Sequence, residues 1–291
     1  MKKNICIIGN NGKEFHLYNL YYRKNKNVAF FASQHATNHC LYPLAGRLYP
    51  EGIPILPLDT LELHIKKHNI TDAVFAGSNV TFEYLSLLGK KFFRCGIELR
   101  YSPIKRIMLD SNKKTIAICN AIPQTKNEYH ISLIAKTIYE QKKKLSWIFL
   151  PYCYSSFYTN HISINRPNSF FPPILQRIQS LFYKLKHNVL VGNNFEAVIR
   201  EGEKQGDIIL VTPPGNDFPL VKPDLYICIV SKQDNFMYHY PGRINVEMAN
   251  IIIIDDESQI QKIRIVNPQA QIIFKSIEQQ LSQILRNFID A

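Results

Sequence analysis

Residues 120–128 carry the outline of a phosphate-binding loop. The apolar run Thr115–Cys119 leads into Asn120-Ala121-Ile122-Pro123-Gln124-Thr125-Lys126-Asn127-Glu128. Ile131, Ile134, Ala135 and Ile138 then recur at helical spacing. A strand–loop–helix that holds nucleoside triphosphates reads G-x-x-x-x-G-K-[ST], because glycines let N–H groups curl around phosphate and the lysine neutralises it. Here the loop has no glycine, and Pro123 removes a donor. Glu128 brings negative charge to the place of a Mg2+-binding hydroxyl. Lys126 is left as the candidate catalytic cation and Asn127 as a phosphate contact.

A second constellation follows the apolar run Ile208–Val211. Gly215-Asn216-Asp217-Phe218-Pro219-Leu220-Val221-Lys222-Pro223-Asp224 offers Asp217 and Asp224 as Mg2+ ligands, Asp217 also as a catalytic residue, and Asn216 and Lys222 as contacts for anionic oxygens. Turn capping by Asn and Asp accounts for the same residues without a ligand. An acid closing that run would hold Mg2+ through water, and position 212 is threonine. Near the N-terminus, Gly9 and Gly12 frame a G-x-x-G turn after the strand pattern Asn4–Ile8. Such a turn aims N–H groups at phosphate, or simply makes a tight strand-to-helix connection. Asp255-Asp256 reads as the cap of a helix over 257–264. His35, His39 and Cys40 cluster but lack a fourth ligand at zinc spacing.

These residues need strand ends to hold them. Strand patterns at Asn4–Ile8, Val28–Ala32 and Ala73–Ala76 alternate with helical ones at Glu14–Tyr22, from Asp59 or Thr60 to His68, and at Thr81–Lys91, with a long loop over 41–54. From Lys113 onward, strands are expected at Thr115–Cys119, Trp147–Leu150, Val189–Val191, Ile208–Val211, Leu225–Val230, Ile251–Ile254 and Gln271–Phe274. Helices are expected over 127–143, 171–186, 194–205, 257–264 and 277–289. The reading is α/β: a Rossmann-like N-terminal domain over 1–112 and a P-loop NTPase-type parallel-sheet domain over 113–291, with ligands at strand C-termini. The Tyr-, Ser-, Asn- and Pro-rich stretch Pro151–Pro173 reads as an active-site or interaction loop.

A chain of 291 residues, 46% hydrophobic and 20% charged, has the composition of a globular protein. No run approaches a membrane span and none forms a secretory leader, so a cytoplasmic protein is expected. Cys6, Cys119 and Cys228 sit in apolar strand patterns as buried, reduced thiols. The net charge of +12 comes from 35 Lys+Arg against 23 Asp+Glu, scattered in small groups that suit helix C-termini. No nucleic-acid motif accompanies it, so nucleic acid is not an expected partner.

Several runs together resemble the cyclic 2,3-diphosphoglycerate synthetase family, which has bacterial relatives described as GTPases. They are IIGNNGKEFHLYN, LAGRLYPEGIPI, AVFAGSNVTFEYL, KKTIAIC, GNDFPLVKPDLYICIV and YPGRINVEMANIIII. The resemblance implies a Rossmann-like domain followed by a P-loop NTPase-type domain. It implies ATP-dependent closure of an intramolecular phosphoanhydride with Mg2+ and K+. The family's T-G-A-G-K-[ST] falls on Pro123 to Glu128, with Lys126 or Asn127 at its lysine. Its D-G-G-N-N-D-F-P falls on Thr212 to Pro219, where only the second half remains. Its N-K-x-D-like stretch falls on Asp255-Asp256-Glu257-Ser258.

The resulting expectation is a divergent member that binds ATP, GTP or a small phosphorylated ligand, with Mg2+, and whose phosphoanhydride-forming activity is impaired or absent. Lys126, Lys222 and Arg243 are its remaining cations. The alternative is an inactive ligand-sensing or protein-interaction module, with a second copy of the chain as the assembly considered. Its ligand would then use Gly9, Gly12, Arg47 and the run Tyr49-Pro50-Glu51-Gly52. A dinucleotide-dependent oxidoreductase lacks both the full glycine fingerprint and an acid after Val28–Ala32.

Overall fold

The apolar runs become strands that are buried on both faces. A computed structural model describes residues 4–9, 13–33, 40–77, 80–102, 107–122, 127–149, 162–163, 173–191, 195–213, 217–232 and 235–291. The chain divides into two units, Met1–Ile107 and Met108–Ala291. The candidate residues Gly12, Lys126 and Asn216, together with His35, His39 and most of Pro151–Pro173, lie outside the described residues.

In the first unit the strands are β1 (Asn4–Gly9), β2 (Val28–Ser33), β3 (Cys40–Tyr42), β4 (Ile53–Pro57), β5 (Ile70–Phe75) and β6 (Glu98–Tyr101). They form one sheet in the order β3-β4-β2-β1-β5-β6. All neighbours pair parallel except β3 with β4. This is a Rossmann-like arrangement, with β1 at the point where strand order reverses. Helix α1 (Lys13–Leu17) continues as a π-helical turn over Tyr18–Tyr22, and α2 (Leu61–Lys67) and α3 (Phe82–Arg94) follow β4 and β5. Thr81 caps α3, its Oγ1 accepting from Tyr84 N at 3.1 Å.

The expected loop over 41–54 is instead partly sheet, since β3 and the start of β4 fall within it. Pro54 and Pro57 hide β4 from a strand pattern, yet parallel pairing with β2 forms through Phe31–Ile55 and Ala32–Leu56. The conspicuous run Tyr49-Pro50-Glu51-Gly52 clasps this edge. Tyr49 Oη donates to Asn25 O and accepts from Val28 N, each at 2.8 Å. Tyr18 Oη donates to Ala45 O at 2.6 Å, and Phe15 stacks on Tyr42 at 4.4 Å between ring centroids. Gly52 needs its glycine: its φ is 91°, and a Cβ would stand 2.8 Å from Tyr42 O. Arg47 is exposed. The described contacts of this run are therefore structural. Tyr49→Phe is expected to destabilise the first unit by about 1–2 kcal/mol, read by urea unfolding, because the Val28 N–H loses its acceptor.

The second unit contains β7 (Lys114–Asn120), β8 (Leu145–Phe149), β9 (Ile162–Ser163), β10 (Asn188–Val191), β11 (Ile208–Thr212), β12 (Leu225–Val230), β13 (Ile251–Ile254) and β14 (Gln271–Ile273). Its order is β14-β13-β12-β7-β11-β8-β10-β9. Only β9 runs antiparallel. The helices are α4 (Glu128–Glu140), α5 (Pro173–Lys184), α6 (Phe195–Gln205), α7 (Tyr240–Met248), α8 (Gln259–Val266) and α9 (Ile277–Asp290). Among them α7 lies outside the helices expected from sequence, since its first turn contains Pro241 and Gly242. Proline is suited to that turn, where no intrahelical N–H bond is lost.

Alternation along β7 sorts the two faces. Ile116 and Ile118 pack with Ile131, Ile134, Ile138, Leu281 and Leu285 of α4 and α9. Ala117 and Cys119 pack with Val246 and Ile263 of α7 and α8. Each fully buried isoleucine or leucine contributes about 1.5–3 kcal/mol relative to exposure. The C-terminus of α9 is closed by Lys114, whose Nζ donates to Phe288 O at 2.8 Å and Ile289 O at 3.2 Å. Among the described residues Cys6, Cys119 and Cys228 are buried and form no disulfide, and burial pushes the Cys6 thiol up to about 12. No helix among the described residues is long and apolar enough to cross a membrane.

Candidate functional site

The second sheet has its switch point at β7. The chain leaves β7 through α4 toward β8 on one side, and β11 and β12 flank β7 on either side. Ligands of open α/β sheets gather at the carboxyl ends of the strands there. At that end Asn120 closes β7, Asn127 stands at the cap position of α4, and Glu128 opens its first turn. The Asn127 side chain makes no cap hydrogen bond. A helix start leaves its first N–H groups without intrahelical partners, so this turn presents donors and a positive dipole end.

Asp217 belongs to the same end. Asn245 Nδ2, from α7, donates to Asn120 O at 3.0 Å and to Asp217 O at 3.2 Å. Its Oδ1 accepts from Tyr226 Oη at 2.7 Å. Asn245 is fully buried and ties β7, β12 and the segment at Asp217 together. Sequence reasoning passed over it, although it lies in the YPGRIN run. Gly242, from the same run, lies against Ala121: a Cβ there would collide with the Ala121 carbonyl oxygen. Asp217 is itself buried, with Oδ1 accepting from Phe218 N at 3.0 Å.

Lys222 and Asp224 are at the opposite end of the sheet. Lys222 N donates to Leu109 O at 2.9 Å, and its side chain is exposed. Asp224 Oδ2 accepts from Thr115 N at 2.8 Å, near the start of β7. From Thr115 to Asn120 the strand rises roughly 16 Å. Asp217 and Asp224 therefore do not share a cation, and Lys222 does not face the end that holds Asn127. The residues from Asp217 to Asp224 are contiguous in sequence, but they descend the length of the sheet.

Gly9 packs against α1. It ends β1 at the switch point of the first sheet, but the space beside it is taken by Glu14, whose Cβ would be 2.7 Å from a Gly9 Cβ. Glu14 is buried, and a carboxylate there opposes an anion. The glycine serves the packing of α1. Thr212 has an internal role as well: its Oγ1 accepts from Trp147 Nε1 at 2.8 Å, with both groups buried. Asp256 forms a turn after β13, accepting from Ser258 N at 2.8 Å, with Lys232 Nζ at 3.2 Å. Those bonds from Ser258, then Lys232, hold its carboxyl down at about 2. Helix α8 begins only at Gln259. Among the described residues no group of three or more His, Cys, Asp or Glu is placed to hold a metal ion.

His130 lies in the first turn of α4. Its ring is buried, and neither Nδ1 nor Nε2 has a hydrogen-bond partner among the described residues. Burial pushes its pKa down to about 4. The nearby His187 is different: its Nδ1 accepts from Leu145 N at 3.1 Å and its Nε2 lies 2.9 Å from Ala135 O.

Fold and site together define an α/β chain with two mostly parallel sheets, the first Rossmann-like. No family model matches the sequence. It is 31% identical over 294 aligned positions to arginine synthetase ArcE of Thermococcus kodakarensis, covering 94% of this chain. The chain spans 66% of that relative's length. It is 29% identical over 99 positions to the cyclic 2,3-diphosphoglycerate synthetase of Thermococcus sibiricus, covering 28% of this chain and 23% of that protein. The chain is thus related to proteins named as synthetases, and the relationship along most of its length is to ArcE. Among solved structures, LpxK from Aquifex aeolicus in complex with ATP overlaps 59% of this chain and 56% of its own, with 11% identity and a TM-score of 0.40. An overlap that loose adds nothing to what the strand order already shows.

Proposed function

We propose that the second unit binds the phosphate of a nucleotide or phosphorylated metabolite at the C-terminal end of β7, and that ATP-dependent phosphoanhydride formation there is impaired or absent. The observation that carries this reading is α4 leaving the switch-point strand with no side-chain cap at Asn127. An anion is the natural partner of such a turn. A two-carboxylate Mg2+ site does not fit, because Asp217 and Asp224 are separated by the sheet. Kinship with two proteins called synthetases supports the nucleotide. Kinship with ArcE over 94% of the chain favours a second reading, in which a synthetase remains active and arginine is substrate or product.

Thermal shift with ATP, GTP, 2,3-diphosphoglycerate, inorganic phosphate and arginine, each with and without Mg2+, separates these readings. A phosphorylated ligand at 100 times its Kd is expected to add about 2.7 kcal/mol. Glu128→Gln should tighten that binding about fivefold by removing a like charge worth about 1 kcal/mol near the phosphate. Absence of any shift with the nucleotides and the diphosphoglycerate defeats the first reading. Binding without turnover when arginine and nucleotide are combined defeats the second, and is what a ligand-sensing module would show.

A further inference from the structure

We propose that His130 is the side chain that contacts the ligand in this site, donating an imidazole N–H to a phosphoryl oxygen. The proposal rests on the phosphate reading above. His130 is 9% exposed, and both ring nitrogens lack a hydrogen-bond partner among the described residues. A buried polar group left this way is costly, and native structures keep few of them. The other buried histidines whose contacts are described here are anchored: His187 through both ring nitrogens, and His16 through Nε2 to Ile107 O at 2.8 Å.

Position gives the orphaned ring its partner. His130 is the third residue of α4, in the turn whose first backbone N–H groups have no intrahelical partners. The Cα–Cβ bond of a helical residue tilts toward the helix N-terminus, which carries this ring toward that turn. Helical spacing groups His130 with Ile134 and Ile138, which pack on the sheet. Along β7, Asn120 follows Ile116 and Ile118, so it shares the sheet face that α4 covers. His130 and Asn120 thus lie on one side of the sheet at its ligand-binding end. Burial keeps the imidazole neutral, with one N–H to give and one nitrogen to accept. A neutral donor complements the backbone N–H groups without requiring a charge partner.

The test uses the full chain, with ATP, 2,3-diphosphoglycerate and inorganic phosphate as separate probes. His130→Leu should raise the melting temperature of the ligand-free protein by about 2–4 °C, since the unsatisfied group is gone. It should weaken binding of the effective probe about tenfold or more. His130→Gln keeps a donor and an acceptor and should bind within about threefold of wild type. In the wild-type protein, long-range 1H–15N spectra should show the His130 ring nitrogens moving as the probe is added. If inorganic phosphate alone moves them, the recognised group is the phosphate; if only ATP does, it is the nucleotide. Binding in His130→Leu equal to wild type, or ring resonances unmoved at saturation, overturns the assignment while leaving the phosphate site standing. No binding by the wild type to any probe overturns both.

Discussion

Asn245→Ala is expected to destabilise the second unit by about 3–5 kcal/mol and to abolish ligand binding at the end of β7. The side chain is fully buried and serves three partners, the carbonyls of Asn120 and Asp217 and the hydroxyl of Tyr226. Truncation leaves those groups in a water-excluded place, where each unsatisfied group costs about 1–3 kcal/mol. It also cuts the link that holds the Asp217 segment to the strand end. Asn245→Asp retains an acceptor for Tyr226 Oη but removes the donor, so it should be nearly as damaging. Urea unfolding followed at Trp147, the single tryptophan and a residue of β8, reports on this unit directly. A loss below about 1 kcal/mol would show that the two carbonyls find other donors and that Asn245 is not the tie.

The second large effect is loss of stability in mild acid. Burial pushes His16 down to about 4, against the upward pull of the Ile107 carbonyl bond and with some help from Lys13. His130 is pushed to about 4 by burial alone, and His187 is lowered by burial against its bond to Ala135 O. Each ordinarily titrates near 6.5 once unfolded. The folded state therefore binds fewer protons than the unfolded one below that pH, and stability falls as pH falls. The contribution is complete above 6.5 and is lost on the way down to about 4. It amounts to about 3 kcal/mol for His16 and again for His130, at about 1.4 kcal/mol per pH unit per imidazole.

His16 belongs to the first unit and His130 and His187 to the second, so both units should weaken. Equilibrium unfolding between pH 7.5 and about 4.5 measures the slope, and His130→Leu should reduce the slope of the second unit by one proton. A slope unchanged in that variant would mean that His130 charges freely in the folded protein.

Much of the architecture could be read directly from residues. The strands Leu225–Val230 and Ile251–Ile254 fall where their isoleucine-rich runs begin and end, because a strand covered on both faces tolerates little else. Helix α4 follows from Ile131, Ile134 and Ile138 on one face. Short elements with proline or glycine were not legible, as β4 and α7 show: Pro54 and Pro241 suppress the pattern while the tertiary partner supplies the order. The match with synthetases was also legible, though the wider relative is ArcE rather than the diphosphoglycerate enzyme.

The sequence by itself determined two α/β sheets and the strand–turn–helix at 115–140, since alternation and periodicity are local properties of a chain. It also showed that a lysine-and-glycine phosphate loop is absent there. Only the tertiary structure decided which residues stand beside that strand end. It sent Lys222 and Asp224 to the far end of the sheet, gave the space beside Gly9 to Glu14, and turned Thr212 toward Trp147. It brought Asn245 from α7 to Asn120 across 125 residues, and it left His130 buried without a hydrogen-bond partner among the described residues. The physical reason is that hydrogen bonds and burial depend on distance in space, and spacing along a chain fixes that distance only within an element.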